Sequence, residues 1–254
     1  MGRHFVNVAV LWALLTALGI AVILTDFFPV VGAEYAEEFD GIFRLLAFMG
    51  VPVLTFVFAV VGYSFFAFRG REDAPEDGPA IFGRGWVPIV WLLVTGGLAI
   101  AVMIHPGLTG LAKLAADPDG YGWGETGADL VVDVTGFRWA WAAEYRDLGV
   151  TVTQAGGGEL VLPVGKTIRF EVNSTDVVHS FWIPAFRMKI DAIPGRTTFM
   201  VVEPTEEGSY EEDEAFRVQC AELCGLDHAK MWMPVRVVSQ AEFDAWVREH
   251  QSQQ

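Results

Sequence analysis

The sequence predicts a membrane-anchored all-β protein, in which two or three N-terminal transmembrane helices are followed by a β-sandwich. Three observations carry that reading. First, the chain is 52% apolar yet has a formal net charge of −15, a combination that one soluble domain rarely shows. Second, the two properties are segregated. Residues 5–25 and 45–68 carry no charged side chain and 85–112 contain only His105, whereas from Lys113 onward there are 23 acidic and 12 basic residues. Third, the acidic half is built of short β-type runs separated by Gly, Pro, Asn and Asp, the pattern of a sandwich or barrel.

Each uncharged stretch reaches the roughly 20 apolar residues needed to span a bilayer core. The first follows Arg3 and His4, and Val31-Gly32-Ala33 offers a small-residue cleavage region, so residues 1–33 read as a helix or a signal peptide. The apolar run exceeds the usual signal core of about 7–15 residues, which favours an uncleaved helix. Residues 34–112 read as a transmembrane hairpin. Arg69, Arg71 and Arg84 flank its inner loop, whereas 26–40 carries only acids, namely Asp26, Glu34, Glu37, Glu38 and Asp40. Positive residues stay on the cytoplasmic side, so the C-terminal domain is expected outside a bacterial-type plasma membrane whether or not the first segment is removed. Its acidic balance offers nothing to nucleic acid. The partners implied are membrane lipid and other proteins.

A Gly-, Pro- and Asp-containing linker, 113–128, leads to the β-domain, 129–254. Strands are expected at Leu130–Thr135, Val150–Thr153, Leu160–Pro163, Thr167–Val172, Thr197–Val202, Phe216–Val218 and Val235–Val238, paired antiparallel. Gln240–Glu249 places Phe243, Trp246 and Val247 on one face and reads as a docked helix.

The chemistry is concentrated in Cys220-Ala-Glu-Leu-Cys224-Gly-Leu-Asp-His228-Ala-Lys-Met231. Thiolates with imidazole select copper or zinc, and a thioether points to copper electron transfer. His179, in Val178-His179-Ser180-Phe181-Trp182, supplies a second imidazole. Simpler readings exist. Cys220 and Cys224 would form a disulfide in an oxidising compartment, but a disulfide leaves His179, His228 and Met231 without a role. Zinc suits two Cys and two His, though closely spaced thiols beside Met argue against it. Met233 competes with Met231 as the thioether.

The run C-x-E-x-C-x3-H-x2-M, with H-S-F-W-I-P upstream, resembles subunit II of haem–copper cytochrome oxidases and its dinuclear copper A centre. The resemblance covers roughly 41–254 and implies a cupredoxin-like sandwich. It implies that Cys220 and Cys224 bridge two copper ions, that His179 and His228 ligate one each, that Met231 is a weak ligand and that Glu222 ligates through its carbonyl. The Glu222 side chain would reach a magnesium ion at the contact with the catalytic subunit I, near the loop that carries Asp191. In the aromatic run Gly136–Tyr145, Trp139 corresponds to the residue that takes the electron from the donor, while Trp141 and Tyr145 read as core. The implied partners are subunit I, other oxidase subunits and a soluble cytochrome c or copper-protein donor. The implied activity is electron transfer coupled to oxygen reduction and proton pumping in the whole complex.

Two features depart from the family. Arg138 stands where Gln is frequent, which weakens attraction for a basic donor. Gly83 stands where a proton-admitting Glu is frequent, so no proton-uptake residue is assigned. The acidic run Glu211–Glu214 suits either steering of a basic cytochrome or a salt-adapted surface. The sequence leaves open a copper A subunit of a nitric oxide reductase. A metal-free subunit of quinol-oxidase type and a copper-delivery protein fit the ligand set less well.

Overall fold

The computed structural model describes residues 2–69, 85–116 and 127–252. The chain divides into two compact units, one of residues 1–27 and 40–112, the other of 28–39 and 113–254.

The first unit holds three helices long and apolar enough to cross a membrane. Helix α1 is Gly2–Ile23 and α2 is Ala36–Ala67. In hydrocarbon a polar group must find an internal partner, and several polar side chains of this pair do so across the two helices. The Trp12 indole donates to Pro52 O (2.8 Å), the Thr16 and Thr55 hydroxyls lie 2.7 Å apart, and His4 Nδ1 meets the Tyr63 hydroxyl at 2.8 Å. The third apolar stretch is not one regular helix, as the sequence had suggested. α3, Val87–Val102, gives way at Met103–Leu108, where His105 leaves helical geometry (φ −136°, ψ 117°), and α4 follows at Thr109–Ala116. Pro106 is the cause, because its ring disfavours helical backbone in the preceding residue. Gly83, Arg71, Arg84 and most of the predicted linker lie outside the described residues.

The second unit is a two-sheet sandwich. Its strands are β1 Leu130–Phe137, β2 Ala140–Tyr145, β3 Val150–Thr153, β4 Leu160–Pro163, β5 Ile168–Ser174 and β6 His179–Trp182. They continue with β7 Lys189–Ala192, β8 Thr198–Val202, β9 Gly208–Ser209, β10 Arg217–Cys220 and β11 Trp232–Val238. One sheet runs β3-β2-β1-β5-β8 and the other β4-β11-β10-β6-β7, with β9 on β11. The pairing is mixed, not wholly antiparallel as expected, because β1–β5 and β4–β11 are parallel. Alternation of apolar residues fixes which face of a strand is buried but says nothing about the direction of its neighbour.

Trp141, Tyr145, Phe170, Phe181 and Phe186 fill the core completely buried, each contributing on the order of 2 kcal/mol through apolar burial. Buried Tyr145 keeps its hydroxyl satisfied on the Val161 backbone, donating to O (2.8 Å) and accepting from N (2.9 Å). Helix α5, Gln240–Gln251, is capped by Ser239, whose Oγ accepts from Glu242 N at 3.3 Å. It closes one end of the core with Phe243, Trp246 and Val247, the face its sequence periodicity marked.

A segment remote in sequence completes this unit. Gly32 N–H donates to Ala185 O (2.9 Å), Thr205 N–H to Gly32 O (3.1 Å) and Glu34 N–H to Glu203 O (3.1 Å). The Arg187 guanidinium donates to Pro29 O and Val30 O, and Ala33 is buried beside Pro204. The small residues Val31-Gly32-Ala33, which resembled a cleavage region, are therefore part of a strap on the β-domain.

Candidate metal centre

Cys220 ends β10 and Met231 immediately precedes β11, so the ligand-rich loop is the connection of a hairpin. Cys220 N–H donates to Met231 O at 3.0 Å, closing the loop at its base. The Ala221 N–H donates to Ser180 O at 2.9 Å, tying the loop to β6 beside His179. A short 3-10 turn at His228–Lys230 turns the imidazole back toward the cysteines.

The donor atoms converge. The Sγ atoms of Cys220 and Cys224 lie 3.8 Å apart, and both cysteines are free thiols. His179 Nδ1 is 3.8 Å from Cys220 Sγ, and His228 Nδ1 is 3.5 Å from Cys224 Sγ. Met231 Sδ is 3.8 Å from Cys224 Sγ, and the Glu222 carbonyl oxygen is 3.1 Å from Cys220 Sγ. His179, Cys220 and Cys224 are all buried, with ligating atoms within 4.8 Å of one another. Met233, two residues after Met231, is also fully buried, but the thioether contact with the Cys224 thiol is made by Met231. The side chain of Glu222 is exposed, while its carbonyl faces inward.

Burial together with the adjacent Cys220 thiol pushes Cys224 up to about 12. Two buried thiols, two imidazole nitrogens, one thioether and one carbonyl in this space form a soft donor set suited to copper.

Asp176 escaped the sequence reading. One of its carboxylate oxygens is 2.9 Å from His179 Nε2 and accepts from Val177 N (2.6 Å). The other accepts from Arg138 N (2.8 Å) and Arg138 Nε (3.1 Å). Burial opposes ionisation of Asp176, but the hydrogen bonds from His179, Val177 and Arg138 outweigh it and hold the carboxyl well below the usual range. An ionised carboxylate on Nε2 fixes the proton there and leaves the Nδ1 lone pair facing the Cys220 thiol. The only sequence signal for Asp176 was an acid three residues before the histidine in a Ser-Thr-Asp turn, a spacing with no periodicity in a loop.

Trp139 sits at the β1–β2 hairpin tip, between the paired residues Phe137 and Ala140. Its indole N–H donates to Cys224 O at 3.2 Å. The ring packs against Gly225, where a Cβ would come within 3.3 Å of it and φ is +120°. Only glycine allows the ligand loop to pass this close. Trp141 and Tyr145, expected as core, are fully buried. Asp191 lies exposed on β7, paired opposite Ser180.

A chain with three helices long and apolar enough to cross a membrane, whose two-sheet domain carries a Cys–His–Met cluster on one hairpin, belongs to the class of membrane-anchored cupredoxin-like proteins. The comparisons with known proteins narrow the class. A family profile, cytochrome c oxidase subunit II, periplasmic domain, matches residues 149–239. Cytochrome c oxidase subunit 2 of Synechocystis is 30% identical, with 86% of this chain aligned to 74% of that protein. Its counterpart in Alkalihalophilus pseudofirmus is 34% identical over 75% of this chain, which spans about half (52%) of that relative's length. The crystal structure of the periplasmic domain of subunit II of cytochrome oxidase from Bradyrhizobium japonicum is 37% identical. It covers 50% of this chain and 97% of its own, with a TM-score of 0.45. The chain belongs to the cytochrome c oxidase subunit II family.

Proposed function

We propose that the chain is the electron-accepting subunit of a terminal respiratory oxidase. In this reading it takes electrons from cytochrome c or a similar soluble donor and passes them to haem in subunit I, where oxygen is reduced to water. The observation that carries the reading is the convergence of His179, His228, Met231 and the Glu222 carbonyl on the two buried thiols of Cys220 and Cys224. Residues 1–112 anchor the domain in the plasma membrane, and the Arg-flanked inner loop favours placing the β-domain on the extracytoplasmic side.

Held by these ligands, two copper ions would supply a one-electron relay whose charge is shared over both metals. The chain's own residues set the conditions for that relay. Cys220, Cys224, His179, His228 and Met231 would hold the two ions, with the Glu222 carbonyl beside them. Asp176 holds the His179 ring in one tautomer and one orientation. Burial of the thiols and of Met231 keeps water from the sulfur atoms, so little rearranges when charge changes. Trp139, half-buried at the hairpin tip, receives the electron, and its hydrogen bond to Cys224 O gives a continuous bonded path to the residue that carries one of the two thiols. The exposed Glu222 carboxylate is available for a magnesium ion shared with subunit I.

The test is copper content and the electron paramagnetic resonance spectrum of the detergent-solubilised full chain after copper loading. The expected result is two coppers per chain and one unpaired electron split by two equivalent nuclei. One copper with ordinary splitting, bound zinc, or no metal in the folded chain overturns the assignment.

A further inference from the structure

The sequence presents Arg138 as a free positive charge on the β1–β2 hairpin tip. The structure turns it inward. Its backbone N–H and its Nε–H both donate to one carboxylate oxygen of Asp176, at 2.8 and 3.1 Å. The other oxygen lies 2.9 Å from His179 Nε2 and accepts from Val177 N at 2.6 Å. Guanidinium, carboxylate and imidazole thus form one hydrogen-bonded line, and it ends on an Nδ1 that is 3.8 Å from the Cys220 thiol. Exposure falls along that line, from 50% at the Arg138 side chain to 22% at Asp176 and 0% at His179.

A half-exposed ion pair contributes little to fold stability. This one differs because its inner end is a fully buried imidazole, where water screens a charge less. A carboxylate bonded to His179 alone would make the ring a more basic ligand and favour the more positive, oxidised state of whatever it holds. Arg138 opposes that effect. Its guanidinium stays charged at any pH a protein meets, so the compensation is constant. Any residue but proline at this position could supply the backbone N–H. What arginine adds is a fixed positive charge and a second donor on the same carboxylate oxygen.

We infer that Arg138 is a positioning residue that sets the reduction potential of the copper pair, by clamping the carboxylate behind His179 and compensating its charge. This inference rests on the electron-accepting role proposed above and adds a residue that tunes it. The sign follows from electrostatics. Reduction adds a negative charge to the centre, so a nearby positive charge favours it and its removal disfavours it. With Arg138 in place, the centre draws electrons from donors of higher potential than a neutral residue at this position would allow.

The test is a mediated redox titration of the copper-loaded, detergent-solubilised full chain in three forms: native, Arg138→Gln and Arg138→Lys. Copper content and the electron paramagnetic resonance spectrum are recorded for each. The Gln variant keeps the backbone N–H and a neutral side-chain donor, whereas the Lys variant keeps the charge. Arg138→Gln is expected to lower the equilibrium constant for one-electron reduction roughly three- to tenfold, about 28 to about 59 mV, with both coppers retained. Arg138→Lys is expected to recover more than half of that loss. An unchanged potential in Arg138→Gln overturns the inference. An equal fall in both variants also overturns it, because the shape of the guanidinium and not its charge would then be decisive. Loss of copper or of the fold in Arg138→Gln overturns it too, since Arg138 would then build the site and not tune it. A native copper pair whose potential ignores Arg138 sinks this inference alone. A native chain that forms no copper pair sinks the electron-accepting role and the inference with it.

Discussion

The indole N–H of Trp139 donates to the carbonyl of Cys224 across 3.2 Å, joining the hairpin tip of one sheet to the ligand loop of the other. Trp139 and Cys224 are 85 residues apart in the chain, and this bond brings the half-buried ring to the backbone of one of the two buried thiols. Trp139→Phe keeps an aromatic ring but deletes the donor. It is expected to slow reduction of the metal pair by a protein donor at least tenfold, a loss of about 1.4 kcal/mol, while copper content stays unchanged. Stopped-flow reduction kinetics against copper analysis separates the two effects.

Asp176 acts on the site through His179. Asp176→Asn removes the charge that fixes Nε2–H while conserving shape. A loss of roughly 10–100-fold in copper affinity is expected, the usual cost of removing a carboxylate behind a ligating histidine. Competition with a chelator of known affinity measures it, and an unchanged affinity would leave Asp176 a role in turn geometry alone.

Cys224, raised to about 12 by burial and by Cys220, is a neutral thiol in the metal-free protein at neutral pH. Metal needs the thiolate, so loading expels a proton. Apparent copper affinity is expected to rise with pH, by about one log unit per pH unit for each thiol deprotonated. Because the folded value is raised, the metal-free fold has its full stability below the unfolded thiol value of about 8.5. That contribution is lost as pH rises from there toward 12. Chelator competition and thermal unfolding between pH 6 and about 9.5 would read both trends.

The strap is open to a steric test. A Cβ at Gly32 would lie 3.1 Å from Ala185 Cβ, 3.1 Å from Phe216 Cε1 and 3.3 Å from Phe186 Cδ1. Gly32→Val therefore overpacks a closed joint and should destabilise the β-domain by about 1–3 kcal/mol. A lowered thermal midpoint of the full chain is expected, and an unchanged midpoint would mean that the strap detaches without consequence.

Much of this protein was legible in its residues. The helices are recognisable because spanning a bilayer needs long uncharged runs, and no other use of such runs is common. The proposed ligands Cys220, Glu222, Cys224, His228 and Met231 sit within twelve residues, so one loop carries most of the donor set and its spacing is preserved in the linear chain. Helix α5 announced its buried face through a 3.6-residue period.

The sequence by itself thus determined the membrane anchoring, the all-β character of the acidic domain and the identity of the soft donor set. The tertiary structure alone decided the parallel pairing of β1 with β5 and of β4 with β11, the kink at His105, the return of residues 28–39 to the β-domain, and the partners Asp176 and Trp139 bring to the site. The physical reason is range. Apolar periodicity and ligand spacing are local properties that a few consecutive residues express. Strand neighbours, a carboxylate behind a histidine and an indole on a distant carbonyl exist only after the backbone has closed loops of tens of residues, and no local pattern records which loop closes on which.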